Sequence, residues 1–126
     1  MRVTVPTAAD VTVTPNAEMT SLATPSRGTA EVSAWRVRME PGAAGPPHAM
    51  DREQIWVPLT GALLIAAGDA EPRRVAPGQA AILAAGEVRR IAVDGEAPAE
   101  ALVCTANGGR ATLPGTGEVR AVPWAE

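Results

Sequence analysis

The stretch Gly42-Ala43-Ala44-Gly45-Pro46-Pro47-His48-Ala49-Met50-Asp51-Arg52-Glu53-Gln54-Ile55-Trp56-Val57-Pro58-Leu59-Thr60-Gly61 decides the fold of this chain. Glycines bracket it, and its second half has the alternation of a strand. Side chains repeat with period two along a strand. If Gln54 points inward, Trp56 and Pro58 do too, and Ile55, Val57 and Leu59 face the other side. Both faces are then apolar, so the outer one needs cover, because an exposed Ile-Val-Leu row is an association surface. A second copy of the chain or the chain's own N-terminal strands would supply that cover.

Outward from this stretch, Gly, Pro, Asn and Asp interrupt the sequence at intervals of about ten residues, the cadence of a sandwich or barrel of short strands. The segments between have strand character: Val11 to Thr14, Met19 to Thr24, Glu31 to Met39, Gln54 to Leu59, Ala62 to Ala67, Arg73 to Val75, Ala80 to Leu83, Val88 to Val93 and Ala101 to Thr105. The alanine-rich run from Gln79 to Ala85 would tolerate a helix on propensity, but its length and flanking glycines favour a strand. Turns are expected at Asp69-Ala70-Glu71-Pro72, Pro77-Gly78 and Asp94-Gly95. On the segment from Glu31 to Met39, the odd-numbered Trp35, Val37 and Met39 form the natural interior set, with Arg36 and Arg38 outside. Trp35 is then either a pocket wall or plain core. The tail from Ala111 to Glu126 is rich in Gly and Pro and ends near Trp124. It is either loose or an arm pinned by burying that indole.

The glycine frames carry a resemblance. Gly42-x5-His48-x-Met50-x3-Gln54-x6-Gly61 resembles the first motif of the cupins, Gly-x5-His-x-His-x3-4-Glu-x6-Gly. Gly78-x5-Ala84-x-Gly86-x2-Arg89-x3-Val93 resembles the second, Gly-x5-Pro-x-Gly-x2-His-x3-Asn. The resemblance spans about residues 31 to 106. It implies an all-β, double-stranded β-helix (jelly-roll) barrel filling residues 1–126 as a single domain, with 111–126 as a C-terminal arm. It says less about activity, since one fold hosts many functions. In the family, two histidines and a glutamate of the first motif and a histidine of the second hold a divalent metal. Those positions are His48, Met50, Gln54 and Arg89 in this chain.

That substitution pattern argues against a metal. A guanidinium stays protonated and only donates, so Arg89 sets a positive charge where the cation would sit. Met50 offers a soft thioether suited to Cu(I), and Gln54 only a neutral carbonyl. One escape is a β-bulge that turns Glu53 inward beside His48. The expectation is a metal-free site with no cofactor. In the cupin arrangement His48 and Arg89 converge inside the barrel, lined otherwise by Trp35, Met50, Gln54, Trp56 and Ile91. A buried guanidinium needs a partner, which predicts that Asp51, Glu53 or an anionic ligand meets Arg89. A neighbouring cation disfavours protonation of His48. Neutral His48 as base, with Arg89 as oxyanion stabiliser, suits proton abstraction next to a carbonyl. Glu53 is a weaker third catalytic candidate.

Composition limits the alternatives. With 126 residues the chain fits one domain. Net charge is −3 and all 11 basic residues are arginines, without a long basic cluster. Nucleic acid is thus not an expected partner, and Schiff-base chemistry is excluded. No apolar run approaches the ~20 residues of a membrane span, and no secretory h-region follows Arg2. A cytoplasmic protein without membrane association is expected. The single Cys104 cannot form an internal disulfide and reads as a small hydrophobe on a strand. No Gly-x-Ser-x-Gly elbow, dinucleotide fingerprint or phosphate loop occurs. Tyrosine is absent, which weighs against the His–Tyr sugar epimerases of the cupin fold. Three readings follow: a metal-free isomerase, cyclase or lyase acting on a carbonyl-bearing or anionic small molecule; a non-catalytic binding or sensor barrel; and a metal-dependent oxygenase with an unusual ligand set. A homodimer is expected in each.

Overall fold

A computed structural model describes all residues, Met1–Glu126. Twelve strands form in chain order: β1 (Val11–Val13), β2 (Glu18–Ala23), β3 (Val32–Met39), β4 (His48–Met50), β5 (Gln54–Thr60), β6 (Leu63–Ala67), β7 (Arg73–Val75), β8 (Ala81–Leu83), β9 (Val88–Val93), β10 (Ala99–Ala106), β11 (Arg110–Thr112) and β12 (Val119–Ala121). The only helical pieces are three-residue 3-10 turns at Ala8–Asp10, Pro25–Arg27 and Pro123–Ala125. No helix is long and apolar enough to cross a membrane.

The strands make two six-stranded antiparallel sheets, β1-β2-β3-β10-β5-β8 and β12-β11-β4-β9-β6-β7. From β3 to β6 the chain alternates between them, as it does again from β7 to β11, so the sheets are wound together as a double-stranded β-helix. Period-two burial sets the inner faces: Ser33, Trp35, Val37 and Met39 on β3, and Ala99, Ala101, Val103 and Thr105 on β10. On β5, Gln54, Trp56 and Pro58 point inward as expected, while Ile55 and Leu59 are exposed. Register aligns Trp35 with Val103 and Val103 with Trp56, so large and small residues interleave across the sheet. Opposite them, Met50, Leu63, Ile65 and Ile91 complete a core of 16 buried residues.

Gly61 shows what the first glycine frame demands. It sits at φ +66°, and a Cβ there would run into the Pro98 carbonyl. The turn after β5 therefore needs glycine both for its backbone angle and for the close approach.

Three strands lie outside the segments read from the sequence: β4, β11 and β12, each three residues long. β11 bridges β4 and β12, so the tail is built into the second sheet. The N-terminal strands pair in-plane beside β3. They extend the sheet edge and do not cover the outer face of β5, which answers that alternative.

Candidate functional site

A cavity of about 410 Å³ lies between the two sheets. Trp35, Val37 and Met39 of β3 form one side, Trp56 of β5 and Ile91 of β9 continue the wall, and His48, Met50 and Gln54 line it too. The C-terminal arm contributes Leu113, Val122 and Trp124. All three tryptophans of the chain, and every methionine except Met1, line this space. The five residues expected to contact a ligand, Trp35, Met50, Gln54, Trp56 and Ile91, are all on its wall.

His48 opens β4 after the Pro46-Pro47 pair and stands directly across from Arg89 of β9. It is half-buried, with Nδ1 3.0 Å from the Pro46 carbonyl. A carbonyl only accepts, so in neutral His48 Nδ1 carries the proton and Nε2 the free lone pair. Burial holds the imidazole below its ordinary pKa of 6.5; the Pro46 carbonyl pulls it upward, and the Arg89 charge pushes it down again. The ring is thus mostly neutral at pH 7.

Arg89 departs from expectation. It is 1% exposed and does not line the cavity. Its guanidinium folds back over the turn that precedes β9: Nη2 donates to the Ala84 carbonyl at 2.6 Å and Nε to the Glu87 carbonyl at 3.0 Å. Nη1 donates to Gln54 Oε1 at 3.3 Å. The turn itself depends on Gly86 at φ +78° and is closed by Glu87 N–H to the Ala84 carbonyl. The expected partners, Asp51 and Glu53, do not reach Arg89. Burial lowers its pKa, and the nearby Glu87 carboxylate raises it, so Glu87 is the acidic neighbour that sequence reasoning missed. Its signal was position, two residues before the arginine on the same strand approach.

Glu53 is exposed, and Gln54 takes the inward position at 3% exposure. The bulge that would turn Glu53 inward does not form. Thr105 Oγ1 donates to the Glu53 carbonyl at 2.7 Å, pinning that backbone in register. Asp51 accepts the Arg110 N–H at 2.7 Å and so ties β4 to β11. Cys104 faces outward on β10, half-buried, with burial raising its thiol pKa.

The residues at the family's metal positions do not fit a divalent cation. Gln54 Oε1 is already held by Arg89 Nη1 and by Trp56 Nε1 at 3.3 Å. A permanent guanidinium lies behind it. No three His, Cys, Asp or Glu side chains converge anywhere. A lone imidazole and a thioether make a poor site for a hard metal.

The arm was legible as a unit but not as a wall. Its last turn is fastened by serine hydroxyls: Ser21 donates to the Trp124 carbonyl at 2.8 Å, Ser33 to the Ala125 carbonyl at 2.6 Å and Ser26 to the Glu126 carbonyl at 2.6 Å. These bonds cross about a hundred residues of sequence and leave no local signal.

The cupin domain model matches residues 35–105, more than half of the chain. The chain is a cupin. Solved structures with the same fold include KdgF from Halomonas sp., 24% identical over 77% of this chain and 86% of that one, with a TM-score of 0.66. The polyketide cyclase RemF from Streptomyces resistomycificus is 19% identical over 90% of this chain and 73% of its own, with a TM-score of 0.70. A sugar phosphate isomerase from Silicibacter pomeroyi is 23% identical over 80% and 68%, with a TM-score of 0.66. No curated protein matches the sequence significantly. At these identities the likeness establishes this cupin's barrel and leaves its chemistry to its own residues.

Proposed function

We propose that this cupin binds a small carbonyl-bearing or anionic organic molecule in the inter-sheet cavity and moves a proton on it without a metal, as an isomerase, cyclase or lyase. The observation that carries the reading is a neutral His48, with its Nε2 lone pair free, on the wall of an aromatic-lined 410 Å³ cavity. Such a base removes a proton from the carbon next to a carbonyl. The C–H bond breaks, the proton goes to Nε2, and its electron pair forms a C=C bond while the carbonyl π pair moves onto oxygen. Returning the proton to a different carbon isomerises the molecule; expelling a leaving group makes the step a lyase reaction; attack by the new enolate on a second carbonyl closes a ring. Among proteins of the same fold, RemF is a polyketide cyclase and another is a sugar phosphate isomerase, which supports the range of chemistry without choosing within it. The uncovered outer face of the first sheet supports a homodimer as the working form.

Native mass spectrometry of the purified protein, followed by turnover of the molecule it carries, tests the reading. His48→Gln should lower turnover by roughly 10²–10⁴-fold, the usual range for a general base, while retaining affinity. Equal turnover in His48→Gln would remove His48 as the base, and binding without turnover in the wild type would make the barrel a non-catalytic receptor.

A further inference from the structure

Gln54 is 3% exposed and its amide is not symmetric in its surroundings. Oε1 accepts two hydrogen bonds, from Arg89 Nη1 and Trp56 Nε1, each at 3.3 Å. A guanidinium and an indole N–H can only donate. Turning the amide end for end would set its NH2 against two donors, so the chemistry of the partners fixes the orientation. Nε2 is left pointing away from both. It donates to no protein group, and it is not sealed off either, because Thr29 Oγ1 is the one fully enclosed side-chain polar atom without a partner. Gln54 lines the cavity, so the surface left to Nε2 is cavity surface.

We propose that the Gln54 Nε2–H group is the donor that receives the ligand's oxygen, and that Arg89 is a positioning residue acting through it. This rests on reading the cavity as the ligand site. Arg89 cannot meet the ligand itself, since it is buried off the cavity wall with its guanidinium turned to Ala84, Glu87 and Gln54. It locks the amide and polarises it: a cation bound at Oε1 draws electron density from the amide and sharpens Nε2–H as a donor. An N–H facing a chamber walled by Trp35, Trp56 and Trp124 selects a ligand class. The fitting molecule is aromatic or extended and apolar, with one carbonyl oxygen that becomes an enolate when a neighbouring proton is removed. The donor is prepaid in orientation, which is what stabilising a developing oxyanion requires.

A matched pair of probes separates donor from container: acetophenone, and α-methylstyrene, in which a CH2 replaces the carbonyl oxygen. The chain has only four side-chain carboxamides, Asn16, Gln54, Gln79 and Asn107, so the Gln54 NH2 pair is resolvable by NMR. Acetophenone should shift that pair, and both probes should shift the tryptophan indole signals. Gln54→Glu keeps acceptor oxygens for Arg89 and Trp56, so the fold is retained, but it removes the donor; the titration is run with EDTA present. In that variant acetophenone affinity should fall about tenfold, the scale of one net hydrogen bond, while α-methylstyrene stays within about twofold. Arg89→Lys should weaken acetophenone alone and broaden the Gln54 amide signals. Equal losses for both probes in Gln54→Glu, or a Gln54 NH2 pair unmoved at acetophenone saturation, overturns the assignment but leaves the cavity a ligand site. If neither probe shifts any indole signal at millimolar concentration, the cavity reading falls with it.

Discussion

At the residue scale, two side chains on facing strands divide the polar work. His48 stays at the cavity wall with a depressed pKa, and Arg89, across the ladder, holds the turn and Gln54. The depressed His48 pKa has a definite sign. Below the unfolded value of 6.5 the unfolded chain takes up a proton that the folded chain refuses. Stability is therefore lost as pH falls through 6.5, and the loss levels off below the folded pKa. Urea melts of wild type and His48→Gln should diverge only in that acid window, and activity should share an acid limb placed below 6.5. Arg89→Leu should cost about 2–4 kcal/mol of stability, because it removes three charge-assisted hydrogen bonds of a buried guanidinium, to the Ala84 and Glu87 carbonyls and to Gln54 Oε1. A denaturation midpoint unchanged in Arg89→Leu would contradict that role. The position of Arg89 inside the barrel was legible from the second glycine frame. Its direction was not, because the partners that turn it back are backbone carbonyls, which carry no residue signature.

At the element scale, nine of the twelve strands fall in segments read from the sequence, the clearest being β3, β5, β9 and β10, where buried residues alternate with less buried ones along most of the strand. The strands that the sequence hid are three residues long and exist through pairing with distant partners, as β11 does with β4. Such elements have too few residues for a period, and what fixes them is loop closure around the rest of the barrel. The arm formed by β11, β12 and the final 3-10 turn closes the cavity that β3 and β5 begin. Trp124 is half-buried there and packs on the core cluster. Trp124→Ala should cost about 2–3 kcal/mol, somewhat below the figure for a fully buried Trp, and should weaken ligands of the cavity. Thermal melts with and without acetophenone check both effects; an unchanged melting temperature would mean that the arm only rests on the barrel.

At the scale of the whole molecule, the outer face of the first sheet is the surface that the single chain leaves unfinished. Register places Ile82 beside Ile55, Ile55 beside Cys104 and Cys104 beside Ala34, with Val57 beside Leu102 in the next row. Ile82 is 69% exposed, Leu59 48% and Ile55 37%. A contiguous apolar stretch of this kind predicts an association surface, which two-fold pairing of one sheet on its copy would cover with the least new chemistry. Light scattering at micromolar concentration should give twice the chain mass of 12.9 kDa. Ile55→Arg with Ile82→Arg places four like charges in the paired face, so the double variant should run at the single-chain mass. Its cavity should still bind acetophenone, because both side chains point away from Trp56 and Gln54. A wild-type mass near 12.9 kDa, or a double variant that stays paired, would place the dimer contact elsewhere or remove it.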